Sequence, residues 1–118
     1  MLTLYCYPKC STCQKAKKWL DDRNLAYALI DIKSEHPDEK TIAAIHRKSG
    51  LPLRRFFNTS GMLFRELHLT ERLPDMSEME QLALLGSDGM LIKRPLLIGD
   101  DFVLVGFREK DWAEKLNW

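Results

Sequence analysis

The first residues alternate. Leu2, Leu4 and Cys6 fall on one side and Thr3, Tyr5 and Tyr7 on the other, the period of two expected of a half-buried strand. Pro8 ends the run. From Ser11 to Asp22 the period changes: Ala16, Trp19 and Leu20 recur at helical spacing while Lys15, Lys17 and Lys18 point largely away from them, which predicts an amphipathic helix. Ala26 to Ile32 is again a mostly apolar run of strand length. A strand, a helix of this size and a second strand imply a parallel, right-handed crossover, so the first third reads as a βαβ unit.

Pro37 suits the first turn of a further helix striped by Ile42, Ala43, Ile45 and His46, with a stop at Ser49-Gly50 and a second at Pro52. Between Leu53 and Gly86 the signals are helical or turn-like: Phe56-Phe57, then Met62 to Leu69, then Ser77-Glu-Met-Glu80, a capping box opening Leu82, Leu84 and Leu85. The stripe of Met62, Phe64 and Leu67 is expected in the core. Leu96 to Ile98 and Phe102 to Val105 flank Gly99-Asp100-Asp101, a link that suits a hairpin, and Arg108 to Leu116 closes as an amphipathic helix. The order is β-α-β, a helical block, then β-β-α: an α/β fold. With no repeat, linker or low-complexity tract, residues 1–118 are expected to form one domain.

Charge narrows the functional classes. Eighteen Lys and Arg against 17 Asp and Glu leave a formal net charge of +1, so no global field marks a nucleic-acid binder. No apolar run approaches membrane-spanning length, and no signal-peptide pattern precedes the first strand. The expected location is the cytoplasm. All three cysteines, Cys6, Cys10 and Cys13, lie in the first 13 residues, the wrong distribution for disulfides that tie distant segments together.

Their placement is instead that of a reaction centre. Cys10 and Cys13 are three apart, after a strand and at the start of a helix, with Cys10 at the positive end of the helix dipole. Such a position, with cations such as Lys9 and Lys15 nearby, favours the thiolate, the nucleophilic form. The backbone N–H groups of Ser11, Thr12 and Cys13, with the Ser11 and Thr12 hydroxyls, would cradle an oxyanion approaching the sulfur. Cys13 could then attack an adduct on Cys10 and release it as an intramolecular disulfide. Against this stand a purely structural Cys13 under the helix, and a zinc site, which would need two more ligands that no second Cys pair or His pair supplies. Cys6 reads as core. A second signal is Lys93-Arg94-Pro95 before the hairpin. A proline starting a strand in a thiol fold of this kind often follows a cis bond and holds backbone against the thiol. Arg94 would then clamp an oxyanion in bidentate fashion, the alternative being a surface arginine before an ordinary turn. The histidines at 36, 46 and 68 lack ligand spacing, and Arg47, Lys48, Arg54 and Arg55 read as a solvated face.

Tyr7-Pro-Lys-Cys-Ser-Thr-Cys13, the strand and helix around it, and Leu91-Ile-Lys-Arg-Pro95 together resemble the arsenate reductase family of the glutaredoxin-arsenate reductase type, which includes the Spx-type redox regulators of RNA polymerase. The resemblance runs over nearly the whole chain. It implies a thioredoxin-like fold with a helical insertion, Cys10 as the cysteine that attacks arsenate, and Arg94 as an oxyanion-binding arginine before the cis-proline Pro95. It also implies a small oxyanion or disulfide substrate, no bound cofactor, and glutathione with glutaredoxin, or thioredoxin, as electron donor. Where arsenate reductases of this type usually carry serine, this chain has Cys13, an internal resolving thiol, as the Spx-type proteins do. Two other family arginines fall on Asn58 and near Phe107, with Arg108 displaced by one residue. Gly50 falls where the regulators use a glycine against the RNA polymerase α subunit, although a helix stop also wants glycine. The resemblance thus carries two functions: a thiol-dependent reductase, and a Cys10–Cys13 switch that docks on polymerase.

Overall fold

The computed structural model describes residues 1–118. The chain divides into two compact units, one formed by Met1–Asp31 with Arg94–Trp118 and the other by Ile32–Lys93.

The first unit is a four-stranded sheet with two helices. β1 (Leu2–Cys6) leads through α1 (Ser11–Asp22) to β2 (Tyr27–Asp31); after the second unit come β3 (Leu96–Ile98), β4 (Val103–Val105) and a terminal helix, Glu109–Leu116. The strand order is β2-β1-β3-β4. β1 runs parallel to β2, with Leu2 opposite Tyr27, and antiparallel to β3, with Thr3 opposite Ile98; β3 and β4 form the antiparallel hairpin. This is the thioredoxin-like arrangement. Alternation along β1 places Leu4 and Cys6 in a core with Cys13, Ala16, Trp19 and Leu20 of α1, Leu97 of β3 and Trp112 of the terminal helix. Trp112 meets Trp19 and Phe107 edge to face, with ring centroids 6.0 and 4.9 Å apart. β2 is an edge strand in this sheet, and its apolar run is less buried than its composition suggests: Ala28 and Leu29 are exposed.

The second unit carries α2 (Glu39–Ser49), α3 (Met62–Glu66), α4 (Leu69–Arg72) and α5 (Glu78–Leu85), with a 3-10 turn between α2 and α3 and another between α4 and α5; the terminal helix of the first unit is thus α6. Asp38 caps α2, its carboxylate accepting from the Thr41 N–H at 2.8 Å, so Pro37 precedes the cap rather than occupying the first turn. Gly50 ends α2 at φ +66°, the left-handed geometry of a helix stop. The expected block of helices and turns contains one extended stretch, because Phe57 bridges Ile92 and is flanked by Asn58 N–H to Leu91 O and Lys93 N–H to Phe56 O. Met62 to Leu69 is not one helix: His68 adopts φ +54° and separates α3 from α4. Phe64 is buried there, whereas Met62 is 70% exposed, outside the core expected for it. The Ser77–Glu80 capping box is formed in both directions. His46 packs edge-on against Phe56 and lies 3.4 Å from the Glu78 carboxylate, a structural setting. No helix in the chain is long and apolar enough to cross a membrane.

Candidate thiol site

The turn from β1 into α1 builds the site. The Cys10 N–H bonds to the Tyr7 carbonyl at 3.0 Å, and Gln14 reaches back to the Pro8 carbonyl at 2.9 Å, fixing the loop over the helix start. Cys10 is the N-cap residue of α1, in extended geometry, and no side chain caps the first turn. Ser11, Thr12 and Cys13 are therefore its first three helical residues, and their N–H groups have no acceptor within the helix. Lys9, Ser11 and Thr12 are exposed, and Cys10 is half-buried. A cysteine at this cap presents its sulfur beside uncapped donors, which can hold negative charge that develops at that sulfur.

Cys13 is fully buried. The Tyr7 N–H points at Cys13 Sγ from 3.4 Å. Cys6, 3% exposed at the end of β1, lies against it, with its sulfur 4.0 Å from the Cys13 carbonyl oxygen. Hydrogen bonding from the Cys6 thiol, supported by the Tyr7 N–H, the Cys10 thiol and the charge of Arg94, outweighs burial and lowers Cys13 from 9.0 to about 6. The same hydrogen bond, together with burial, pushes the Cys6 thiol up. All three cysteines are free thiols.

The Arg94–Pro95 peptide is cis and leads directly into β3, which pairs with β1. Arg94 is half-buried, with its guanidinium carbon 5.2 Å from the Tyr7 ring centroid. Pro95 is buried, and its carbonyl accepts the Gly106 N–H at 2.8 Å. Gly106, at φ +76°, in turn offers its carbonyl to the Trp112 indole N–H at 3.1 Å. The Arg94-Pro95 corner is thus braced by Gly106, the residue after β4, and through it by α6.

Of the residues singled out in the sequence, Cys10, Cys13, Arg94 and Pro95 all belong to the first unit, with Lys9, Ser11 and Thr12 on the exposed rim. Asn58 belongs to the second. Two features were not apparent beforehand: the Tyr7 backbone donor, and the closeness of Cys6 to Cys13. Only the alternation along β1, which turns Cys6 inward, hinted at the latter. No group of three or more His, Cys, Asp or Glu side chains is arranged to hold a metal ion.

The pattern that defines the ArsC family matches residues 5–115. An uncharacterized protein of Bacillus subtilis (strain 168), YusI, is 54% identical over 117 residues, covering 99% of this chain and 98% of that one. The crystal structure of a possible arsenate reductase from Streptococcus mutans UA159 superposes with a TM-score of 0.89 at 47% identity, covering 100% of this chain and 98% of that one. The global transcriptional regulator Spx of Enterococcus faecalis is 28% identical over 111 residues, 94% of this chain and 83% of the regulator. With the family pattern spanning the βαβ unit, the insertion and the final hairpin and helix alike, the chain belongs to the ArsC family.

Proposed function

We propose that the protein is a thiol-dependent oxidoreductase in which Cys10 is the nucleophile and Cys13 the resolving thiol. The observation that carries this reading is the pairing of a half-buried cysteine at an uncapped helix start with a buried cysteine whose thiolate is favoured. The Cys10 thiolate attacks an oxidised centre and expels a leaving group, while the α1 N–H groups and the Arg94 guanidinium stabilise the charge that develops. The Cys13 thiolate then attacks Cys10 Sγ. A sulfur–sulfur bond forms, the bond from Cys10 to the adduct breaks, and its electron pair leaves with the product. The protein is left two electrons oxidised, and an external thiol, from glutathione with glutaredoxin or from thioredoxin, restores it. With arsenate, the first step exchanges an oxygen ligand for Cys10 sulfur with loss of water, and the second leaves arsenic two electrons reduced as arsenite. Family membership and the Streptococcus mutans relative support arsenate as the first substrate to try.

A second reading is favoured by the Spx relative: a Cys10–Cys13 disulfide that alters a surface docking on the RNA polymerase α subunit, without turnover. Arsenate-dependent turnover of the reduced protein with each donor, on wild type, Cys10→Ser and Cys13→Ser, separates the two. Turnover lost with Cys10 supports the reductase. Absence of turnover with every donor, alongside a reversible Cys10–Cys13 disulfide and redox-dependent capture of the α subunit, supports the switch. Full activity in Cys10→Ser would refute both.

A further inference from the structure

Tyr7 follows β1 directly, half-buried, and its N–H, carbonyl and ring face three different members of the site. The N–H points at Cys13 Sγ from 3.4 Å, and the carbonyl accepts the Cys10 N–H at 3.0 Å. The ring lies under the Arg94 guanidinium, whose carbon is 5.2 Å from the ring centroid. Any residue but proline can make the two backbone contacts, so it is the third that calls for an aromatic side chain. Tyr7 and Arg94 belong to the same compact unit.

Resting on the proposed roles of Cys10 as nucleophile and Arg94 as anion clamp, we infer that Tyr7 is a positioning residue whose ring holds the Arg94 guanidinium beside the thiol turn, so that the site favours substrates carrying negative charge over neutral ones. The face of an aromatic ring attracts a cation through its quadrupole. A carboxylate partner would also hold an arginine, but it would cancel the charge and accept from the N–H fork, the two properties that an incoming oxyanion uses. A ring holds the cation and leaves both. Arginine is otherwise a long, rotamer-rich side chain, and a guanidinium that is not held spends less of its time where the substrate charge arrives. The charge of Arg94 is felt at the thiols as well, being one of the influences that lower Cys13. The tyrosine hydroxyl has no part in this hold, so phenylalanine should serve as well.

The test uses two alkylating agents of nearly the same size, iodoacetate, an anion, and iodoacetamide, which is uncharged. With either one the Cys10 sulfur bonds to carbon and iodide leaves with the electron pair of the broken bond, a step followed by mass spectrometry of the reduced protein. The readout is the ratio of the iodoacetate rate constant to the iodoacetamide one, divided by the same ratio for glutathione. It isolates preference for charge, because a turn merely loosened by substitution changes both rates together. Arg94→Gln is expected to lower the ratio by about tenfold, the loss of a charge attraction partly screened by water. Tyr7→Leu should lower it by about two- to fivefold, the weight that a cation over a partly exposed ring gives to the held arrangement, and Tyr7→Phe should restore it. A ratio unmoved in Arg94→Gln or in Tyr7→Leu, or lowered as far in Tyr7→Phe as in Tyr7→Leu, overturns the inference. Nuclear magnetic resonance reads the contact without any reaction: the Arg94 side-chain protons should be shifted upfield by the ring in wild type and Tyr7→Phe, and should return to ordinary values in Tyr7→Leu. Protons unshifted in wild type would also overturn the inference. Alkylation of Cys10→Ser as fast as wild type would instead overturn the proposed function, while the proton shifts would still decide whether Tyr7 holds Arg94.

Discussion

Replacing Trp112 with phenylalanine tests whether α6 braces the corner that carries Arg94 and Pro95. The indole is 1% exposed, and its N–H donates to the Gly106 carbonyl at 3.1 Å, while the Gly106 N–H holds the Pro95 carbonyl at 2.8 Å. Phenylalanine keeps one ring in the aromatic cluster but removes that donor. Loss of the hydrogen bond to a buried carbonyl costs about 1–1.5 kcal/mol, and the unfilled space of the missing ring adds about 1–2 kcal/mol. A total of about 2–3 kcal/mol is a large share of the roughly 6–18 kcal/mol expected for a chain of this length, and corresponds to a fall in Tm of about 8–12 °C. Urea unfolding monitored by circular dichroism gives the total. Amide hydrogen exchange at Gly106 gives its location and should accelerate beyond the average for the sheet. A loss below about 1 kcal/mol, or exchange at Gly106 no faster than at Leu97, would refute the bracing argument.

Stability should depend on pH through Cys13. Its acidity is greater in the folded chain, about 6 against the ordinary 9.0, so its contribution is fully present above pH 9 and is lost as pH falls toward 6. The stability difference between wild type and Cys13→Ser, measured by urea unfolding under reducing conditions, should therefore widen in favour of wild type from pH 6 to 9, by at most about 4 kcal/mol; a constant difference would refute it. Gly89→Ala should destabilise by about 2 kcal/mol or more, since a β-carbon there collides with the Ile32 carbonyl oxygen, and wild-type urea stability would exclude that close approach. Ser77→Ala should cost about 1 kcal/mol by removing the 3.1 Å cap on the Glu80 N–H, with exchange quickening first at the start of α5. Unchanged protection there would show the cap to be idle.

The elements that form the site were legible because local rules specify them. Alternation gave β1, helical spacing gave α1 and α6, and the Ser77–Glu80 pair marked its helix without any tertiary information. What was not legible depends on partners distant in sequence or on single dihedrals. His68 in left-handed geometry splits an otherwise helical stretch, and the residue type alone does not dictate it. Phe57 is extended because Ile92 lies across from it, 35 positions along the chain. Ala28 and Leu29 look like core residues in an apolar run, yet they sit on an edge strand. Within the site, the Cys10–Cys13 spacing was plain, but the contribution of Cys6 was hidden, since an inward-facing cysteine on a strand reads first as a small apolar residue.

The sheet register has a consequence for how the reactive turn comes into being. β1 meets β2 across 25 positions, from Leu2 to Tyr27, but meets β3 across 95, from Thr3 to Ile98. The added loop-closure entropy is modest, about 1.2 kcal/mol, yet the order of events follows from the chain itself. During synthesis the three cysteines and their helix emerge long before Arg94 and the strand that carries it to β1. A growing chain therefore holds Cys6, Cys10 and the Tyr7 N–H beside Cys13, the stronger influences on its acidity, well before the weaker one, the charge of Arg94, arrives with the last fifth of the protein.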